Sequence, residues 1–282
     1  VSRQPEVCEI ILNRDNYFSL EANRHYMSVS QFKSFVPAYG GCEARSVAEL
    51  AGDYTRPDKG AFNEGHYIHA WNSNELAEFK ENNPDIYSSR GDTKGQLKSN
   101  YKHLNKMIEV LEDDPLVMQV LAGHKEVILT AELFGIPWKV MLDSYQPEIG
   151  DTGAFADLKA LKDMKKSYSE HHQNYVPFYQ KYGYDLQMAI YAEVERIVKK
   201  REHWIIPHLV VVTKQDPPDH EIIMFDYDMI MSELQFVKNH IERVVAVKTG
   251  RETPLRCGHN DCDYCRLTKK AVIKHYKEFD VY

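Results

Sequence analysis

Long apolar runs are missing from this chain of 282 residues. The longest are short and broken by charge, well below the ~18 residues that span a bilayer, so no membrane segment is expected. No charged-then-apolar leader with a small-residue cleavage site opens the chain, so no secretory signal is read. The first residue is not Met, and the numbering is expected to begin inside a longer product. Positive charge is also in deficit: 35 Lys and Arg stand against 42 Asp and Glu, a net charge of −7. That argues against a protein that coats nucleic acid with its whole surface, but it leaves room for contact confined to one basic channel. Cysteines number five, an odd count that suits a reducing cytoplasm better than a disulfide framework. Internal repeats and low-complexity segments are absent. What remains is an ordinary globular balance of 43% hydrophobic and 27% charged residues, long enough to bury a core without disulfide support.

The first 122 residues read as mainly helical. Residues 28–36 (SVSQFKSFV) form a serine-capped helix with Phe32, Phe35 and Val36 inward. A second helix is expected over 64–80. A third over 96–112 carries Leu97, Tyr101, Leu104, Ile108 and Leu111 at amphipathic spacing, after an exposed polar loop at 82–95. The character changes at residue 123. Residues 125–133, 137–143 and 152–159 are short, apolar and partly β-branched, with turn residues between them, as consecutive antiparallel strands would be. A helix over 184–200, two strands over 204–213 and 221–225 and a helix over 228–248 complete a core at 123–250. A cysteine-containing segment follows at 251–282. The expected architecture is one domain of the α/β class, a mixed β-sheet flanked by helices.

Chemistry concentrates on Asp143 and on Asp157-Leu158-Lys159. Alternation along a strand places Asp157 and Lys159 on one face, and Asp143 joins them if its strand pairs with theirs. Two carboxylates beside an ammonium suit Mg²⁺ or Mn²⁺, and the lysine can orient or deprotonate an attacking water. An aspartate at a strand end is also a common turn former, and D-x-K arises by chance. Upstream, Gly65-His66-Tyr67-Ile68-His69 offers a nitrogen ligand. Downstream, Gln187 and Tyr191 share one face of a helix whose neighbouring stripe is Leu186, Ile190, Val194 and Ile197.

In this order the motifs resemble the RecB-type branch of the PD-(D/E)xK nucleases, in particular phage and prophage exonucleases similar to exodeoxyribonuclease VIII, from about Ser28 to Arg266. The resemblance implies a restriction-endonuclease-like fold. It implies His69, Asp143 and Asp157 as metal ligands, Lys159 as the catalytic lysine, and Gln187 and Tyr191 as residues lining the site and contacting DNA. Glu126 matches a strand glutamate of the family, with Glu132 as its rival; His66 rivals His69. Leu142 stands where the family name implies proline. Linear duplex ends as substrate, a ring-shaped homo-oligomer and a single-strand annealing partner are further implications.

Cys257, Cys262 and Cys265 form a C-x4-C-x2-C array, a pattern of soft ligands that points to a structural metal. A fourth ligand can come from Cys42, His259 or Cys8. A cysteine before the core and three after it resemble the iron–sulfur relatives of the RecB-type nucleases, AddB-like and CRISPR-associated exonucleases, which hold a [4Fe–4S] cluster; zinc is the other occupant considered. Two alternatives to the recombination exonuclease are therefore an iron–sulfur repair or CRISPR-adaptation nuclease and a non-catalytic DNA-binding or scaffold protein that kept the fold.

Overall fold

The computed structural model describes residues 10–57, 61–169, 171–257, 262–273 and 275–279. Seven short helices come first. α1 (Leu20–His25) and α2 (Val29–Phe35) are capped by Ser19 and Ser28, whose hydroxyls accept the N–H three residues on. α3 (Glu43–Ala51) begins directly after Cys42. The single helix expected over 64–80 is instead two, α4 (Ala61–Asn72) and α5 (Leu76–Asn82). Ser73 turns its hydroxyl back on the His69 carbonyl at 2.9 Å, and Asn74 takes a left-handed φ of 62°, which ends α4. α6 (His103–Glu112) is shorter than expected. The loop before it is not free in solvent, because Ile86 and Leu97 are buried in one cluster with Leu104 and Leu111. α7 (Pro115–Val120), capped by Asp114, is too short for periodicity to register.

β1 (His124–Leu133) and β2 (Ile136–Gln146) make a hairpin whose two loop residues, Phe134 and Gly135, both have positive φ, as a type I′ turn requires. β3 (Ala154–Leu161) follows antiparallel to β2. A small hairpin of β4 (Ser167–Ser169) and β5 (Asn174–Val176) precedes α8 (Phe178–Tyr182) and α9 (Tyr184–Lys199). β6 (Ile206–Thr213) runs parallel to β3, and β7 (His220–Met224) returns antiparallel to β6. α10 (Tyr227–Lys248) and α11 (Asp263–Thr268) finish the order.

The main sheet is therefore mixed, with strand order β1-β2-β3-β6-β7, flanked by helices as expected. One face packs Phe155, Leu209 and Val211 against α2, α9 and α10. The other packs Ala156, Leu158, Val210 and Val212 against α4, α6 and α7. Helices from the first 120 residues thus cover both faces of a sheet formed later in the chain. No helix among the described residues is long and apolar enough to cross a membrane. Of the basic residues at 199–201, Arg201 is structural: it donates to the buried Glu195 and to the carbonyls of Pro147 and Thr152.

Candidate functional site

β2 and β3 pair only over Ser144↔Ala156, Tyr145↔Phe155 and Gln146↔Ala154. Beyond Ser144 the two strands part. In the fork, Asp143 Oδ2 accepts the backbone N–H of Leu158 at 2.7 Å, so a side chain stands where a ladder carbonyl would. Alternation also breaks here. Leu142 and Tyr145 enter the same apolar cluster, while Ser144 turns to the opposite face and bonds the Leu121 carbonyl at 2.8 Å. A regular strand would put Leu142 and Ser144 on one side. On β1 the matching break is at Glu126, between the pairs Lys125↔Ser144 and Val127↔Leu142, and its φ is 49°. The double irregularity swings both Glu126 and Asp143 into a cleft at the sheet edge.

Two connected cavities of about 300 and 550 Å³ meet there, sharing Phe18, Met141 and Asp143. The first contains Asp157, Lys159, Gln187 and Tyr191; the second contains His66, His69 and Glu126. The residues singled out from sequence are therefore brought into one cleft. Glu132 is exposed and pairs with Pro137 near the hairpin end, away from the fork.

His69 Nδ1 lies 3.4 Å from Asp143 Oδ2. Asp157 receives Gln187 Nε2 on Oδ1 at 2.5 Å and faces the Lys159 ammonium on Oδ2 at 2.5 Å. Burial opposes the charge on Asp143, but His69, Lys159 and the Leu158 N–H outweigh it, and its carboxyl is lowered. Asp157 goes the other way: burial raises it, and Lys159 offsets only part of that. Burial also works against the charged forms of Lys159 and His69. The two carboxylates overcome it for Lys159, and Asp143 does so for His69, so both are raised. Tyr191, whose ring packs on Phe155, is pushed well up by burial. Glu126 is raised by burial despite its ion pair with Arg14 at 2.5 Å.

In kind, His69, Asp143 and Asp157 fit a hard divalent cation: two carboxylates and one imidazole. The clearest sign is Asp157 Oδ2, which is buried yet has no hydrogen bond of good direction even with the ammonium so close. That oxygen already faces one cation, the Lys159 ammonium, and a divalent ion would share it.

Three contributors escaped sequence reasoning. Asn72, the last residue of α4, donates to the Asp143 carbonyl at 3.1 Å and receives Lys125 Nζ at 2.8 Å, which ties the histidine helix to the carboxylate strand. Lys33 on α2 lies in the cleft and donates to the Tyr182 carbonyl at 2.8 Å; burial and the nearby Lys159 ammonium lower it to about 8. Tyr184 presents its ring to both Lys159 and Lys33, 5.6 and 5.7 Å from its centroid. The signal for Lys33 was present: Ser28, Ser30 and Lys33 lie on the cleft side of a helix read for its serine cap and its apolar Phe32, Phe35 and Val36.

The four thiols of Cys42, Cys257, Cys262 and Cys265 converge at the start of α3, all Sγ atoms within 4.8 Å of one another. Cys8 and His259, the other candidate ligands, lie outside the described residues.

A family model described as a "PDDEXK-like domain of unknown function" matches residues 28–268. No curated protein matches the chain. Among solved structures, one described as a "putative exonuclease" from Eubacterium rectale is 32% identical, covers 97% of this chain and 99% of its own, and superposes with a TM-score of 0.86. A second, 13% identical over 79% of this chain and 90% of that one, reaches a TM-score of 0.30, too low for a shared fold to be read from it. With a family match over most of its length, a near-complete structural counterpart and a forked sheet presenting Asp143, Asp157 and Lys159, this chain belongs to the PDDEXK-like family of the PD-(D/E)xK nuclease superfamily.

Proposed function

We propose that the protein is a metal-dependent exodeoxyribonuclease that hydrolyses phosphodiester bonds from linear duplex ends, of the phage or prophage recombination type. The observation that carries this reading is the meeting of His69, Asp143, Asp157, Lys159 and Gln187 at the strand fork. His69, Asp143 and Asp157 would hold Mg²⁺ or Mn²⁺, which when bound would supply Lewis-acid activation of the phosphate and of water. The protein does the rest. Lys159, kept charged by its two carboxylates, orients the attacking water and stabilises charge developing on the phosphate. Gln187 holds Asp157 in one rotamer, and Tyr191 stands four residues on along the same helical face. Lys33, on α2, gives that side of the cleft a cation for the DNA backbone, inside an otherwise acidic molecule. A homo-oligomeric ring, a single-strand annealing partner and a cytoplasmic setting complete the proposal.

The test is degradation of end-labelled linear duplex DNA with Mg²⁺ or Mn²⁺, comparing wild type with Asp157→Ala and Lys159→Ala. Metal-dependent loss of DNA by wild type, with both variants down by about 10²-fold or more, supports the reading, and the released label gives the polarity. Equal activity in all three would refute the site. A folded, metal-loaded wild type inert on every DNA form would favour a non-catalytic DNA-binding or scaffold role.

A second reading keeps the nuclease and changes its role, an iron–sulfur repair or CRISPR-adaptation enzyme, and it requires a cluster at the four converging thiols. Brown colour and absorbance on the order of 400 nm would mark it.

A further inference from the structure

The cysteine array alone does not choose between occupants. Spacings of two and four residues between ligands are common at structural zinc, and C-x4-C-x2-C is also the run of a plant-type [2Fe–2S] protein. Size does choose. Four thiolates on one zinc, each about 2.3 Å from the metal in a tetrahedron, lie ~3.8 Å from one another. Thiolates on different irons of a two- or four-iron cluster are pushed to roughly 6 Å, because the separation between the irons is added to two Fe–S bonds. Here Cys42 and Cys265 Sγ are 3.5 Å apart, Cys257 and Cys262 Sγ are 3.6 Å apart, and every pair is within 4.8 Å. A cluster does not fit inside that tetrahedron, and a single ion does. The separations are also far beyond the ~2.05 Å of a disulfide.

The surrounding backbone holds the thiols in place independently of any ion. Gly41 sets the position of Cys42: a side chain there would meet the Val36 carbonyl oxygen at 2.5 Å, so only glycine lets the two backbones approach this closely. The Cys42 N–H is fixed on the Ser34 carbonyl at 2.8 Å, and the Ala44 N–H on the Leu255 carbonyl at 3.0 Å. On the other side, the Cys265 N–H donates to Cys262 Sγ at 3.4 Å, the kind of second bond that steadies a thiolate ligand. Arg256 grips the Cys265 carbonyl at 2.7 Å and the Thr268 hydroxyl at 2.8 Å, holding α11 against the array.

We infer that Cys42, Cys257, Cys262 and Cys265 form a structural zinc site that fastens α3 to the C-terminal segment. It is independent of the nuclease reading, since none of the four cysteines lines the cleft. All four positions are filled by sulfur, so the ion has no open position for substrate and its role is to hold the fold.

The measurement is metal content and spectrum of the full chain, without a histidine tag, from cells supplied with both iron and zinc and purified without oxygen. The expected result is about one zinc per chain with no absorbance near ~400 nm, and, after exchange to Co²⁺, the intense visible bands of a tetrahedral thiolate site. Zinc should persist in Asp143→Ala and be lost in the double variant Cys257→Ser, Cys262→Ser. Two or four irons per chain with a broad band near ~400 nm would overturn the inference. So would a metal-free protein, or zinc that leaves with Asp143 and stays without the cysteines. If the double variant does not fold, the cobalt spectrum of the wild type decides.

Discussion

Glu126 has a backbone conformation that a glutamate adopts only at a cost, with φ at 49° near the start of β1. It also sits in a cleft with Glu75, Glu78 and Asp143, where burial raises its own carboxyl. Glycine at this position would relieve both the strain and the crowding of like charge. Glu126→Gly is therefore expected to raise the thermal midpoint, by about 1 kcal/mol of stability, while lowering nuclease activity; calorimetry and the end-labelled DNA assay read the two effects. Asn72→Ala should do the opposite to stability. It leaves the Lys125 ammonium without one of its buried acceptors and is expected to cost about 1–3 kcal/mol in urea unfolding. At this scale the sequence revealed Asp157 and Lys159, because a D-x-K on a strand needs only alternation to share a face. The placement of Asp143 needed the fork, and no local pattern announces a fork. Asn72 and Lys33 were hidden for a different reason: each acts on a distant element, Asn72 through the Asp143 carbonyl and Lys33 through the Tyr182 carbonyl.

Among the elements, strands rich in apolar and β-branched residues and helices with a full stripe were legible to within a few residues. Those that were not had specific causes. β4 and β5 are three residues each, too short to alternate. The break between α4 and α5 rests on a left-handed asparagine rather than on a glycine or proline. At the junction of α8 and α9, Gly183 has φ at 63°, and an added Cβ would lie 2.7 Å from the Tyr39 ring and 2.9 Å from the Lys33 side chain. Gly183→Ala is expected to destabilise the fold by about 1–2 kcal/mol and to displace Lys33 from the cleft, seen as weaker DNA binding in a fluorescence titration. α10 carries a pH effect. Near its end, Lys248 donates to the Tyr26 carbonyl and to Gln31 Oε1, and burial, with Lys139 nearby, lowers it from 10.5 to about 7. Between those values the unfolded chain binds more protons than the folded one, so this lysine makes stability rise with pH. The contribution is complete above the unfolded value and is lost as pH falls through about 7. Lys33 and Lys139, both lowered to about 8, act with the same sign. Urea midpoints at about pH 6 and about pH 9 should therefore differ less in Lys248→Met than in wild type.

For the molecule as a whole, the two proposed metal sites, one in the cleft and one at the cysteines, predict two separable losses. A hard chelator such as EDTA should abolish DNA hydrolysis reversibly, with recovery on adding Mg²⁺. A thiol-directed mercurial that ejects zinc should lower the thermal midpoint and release the segment after α10 to protease, while leaving the cleft residues chemically intact. A common midpoint and a common rate of inactivation under both treatments would contradict the division. Sequence reading reached the overall plan because helices, strands and cysteines fall in a recognisable order. It did not reveal that helices made first cover a sheet made later, since this is decided by long-range packing.

The meeting of Cys42 with Cys265, 223 residues further on, also sets an order of events during synthesis. At ~5–20 residues per second, α3 leaves the ribosome roughly 10–45 s before its last partner exists. Through that interval Cys42 is an unmatched thiol on a nascent chain, and α3 has no C-terminal segment to be fastened to. A message cut short after Tyr191 but before the final cysteine would yield a protein with the cleft residues present and Cys42 without its full set of C-terminal partners. Quality control can recognise such a product by its loose end rather than by any loss in the active site.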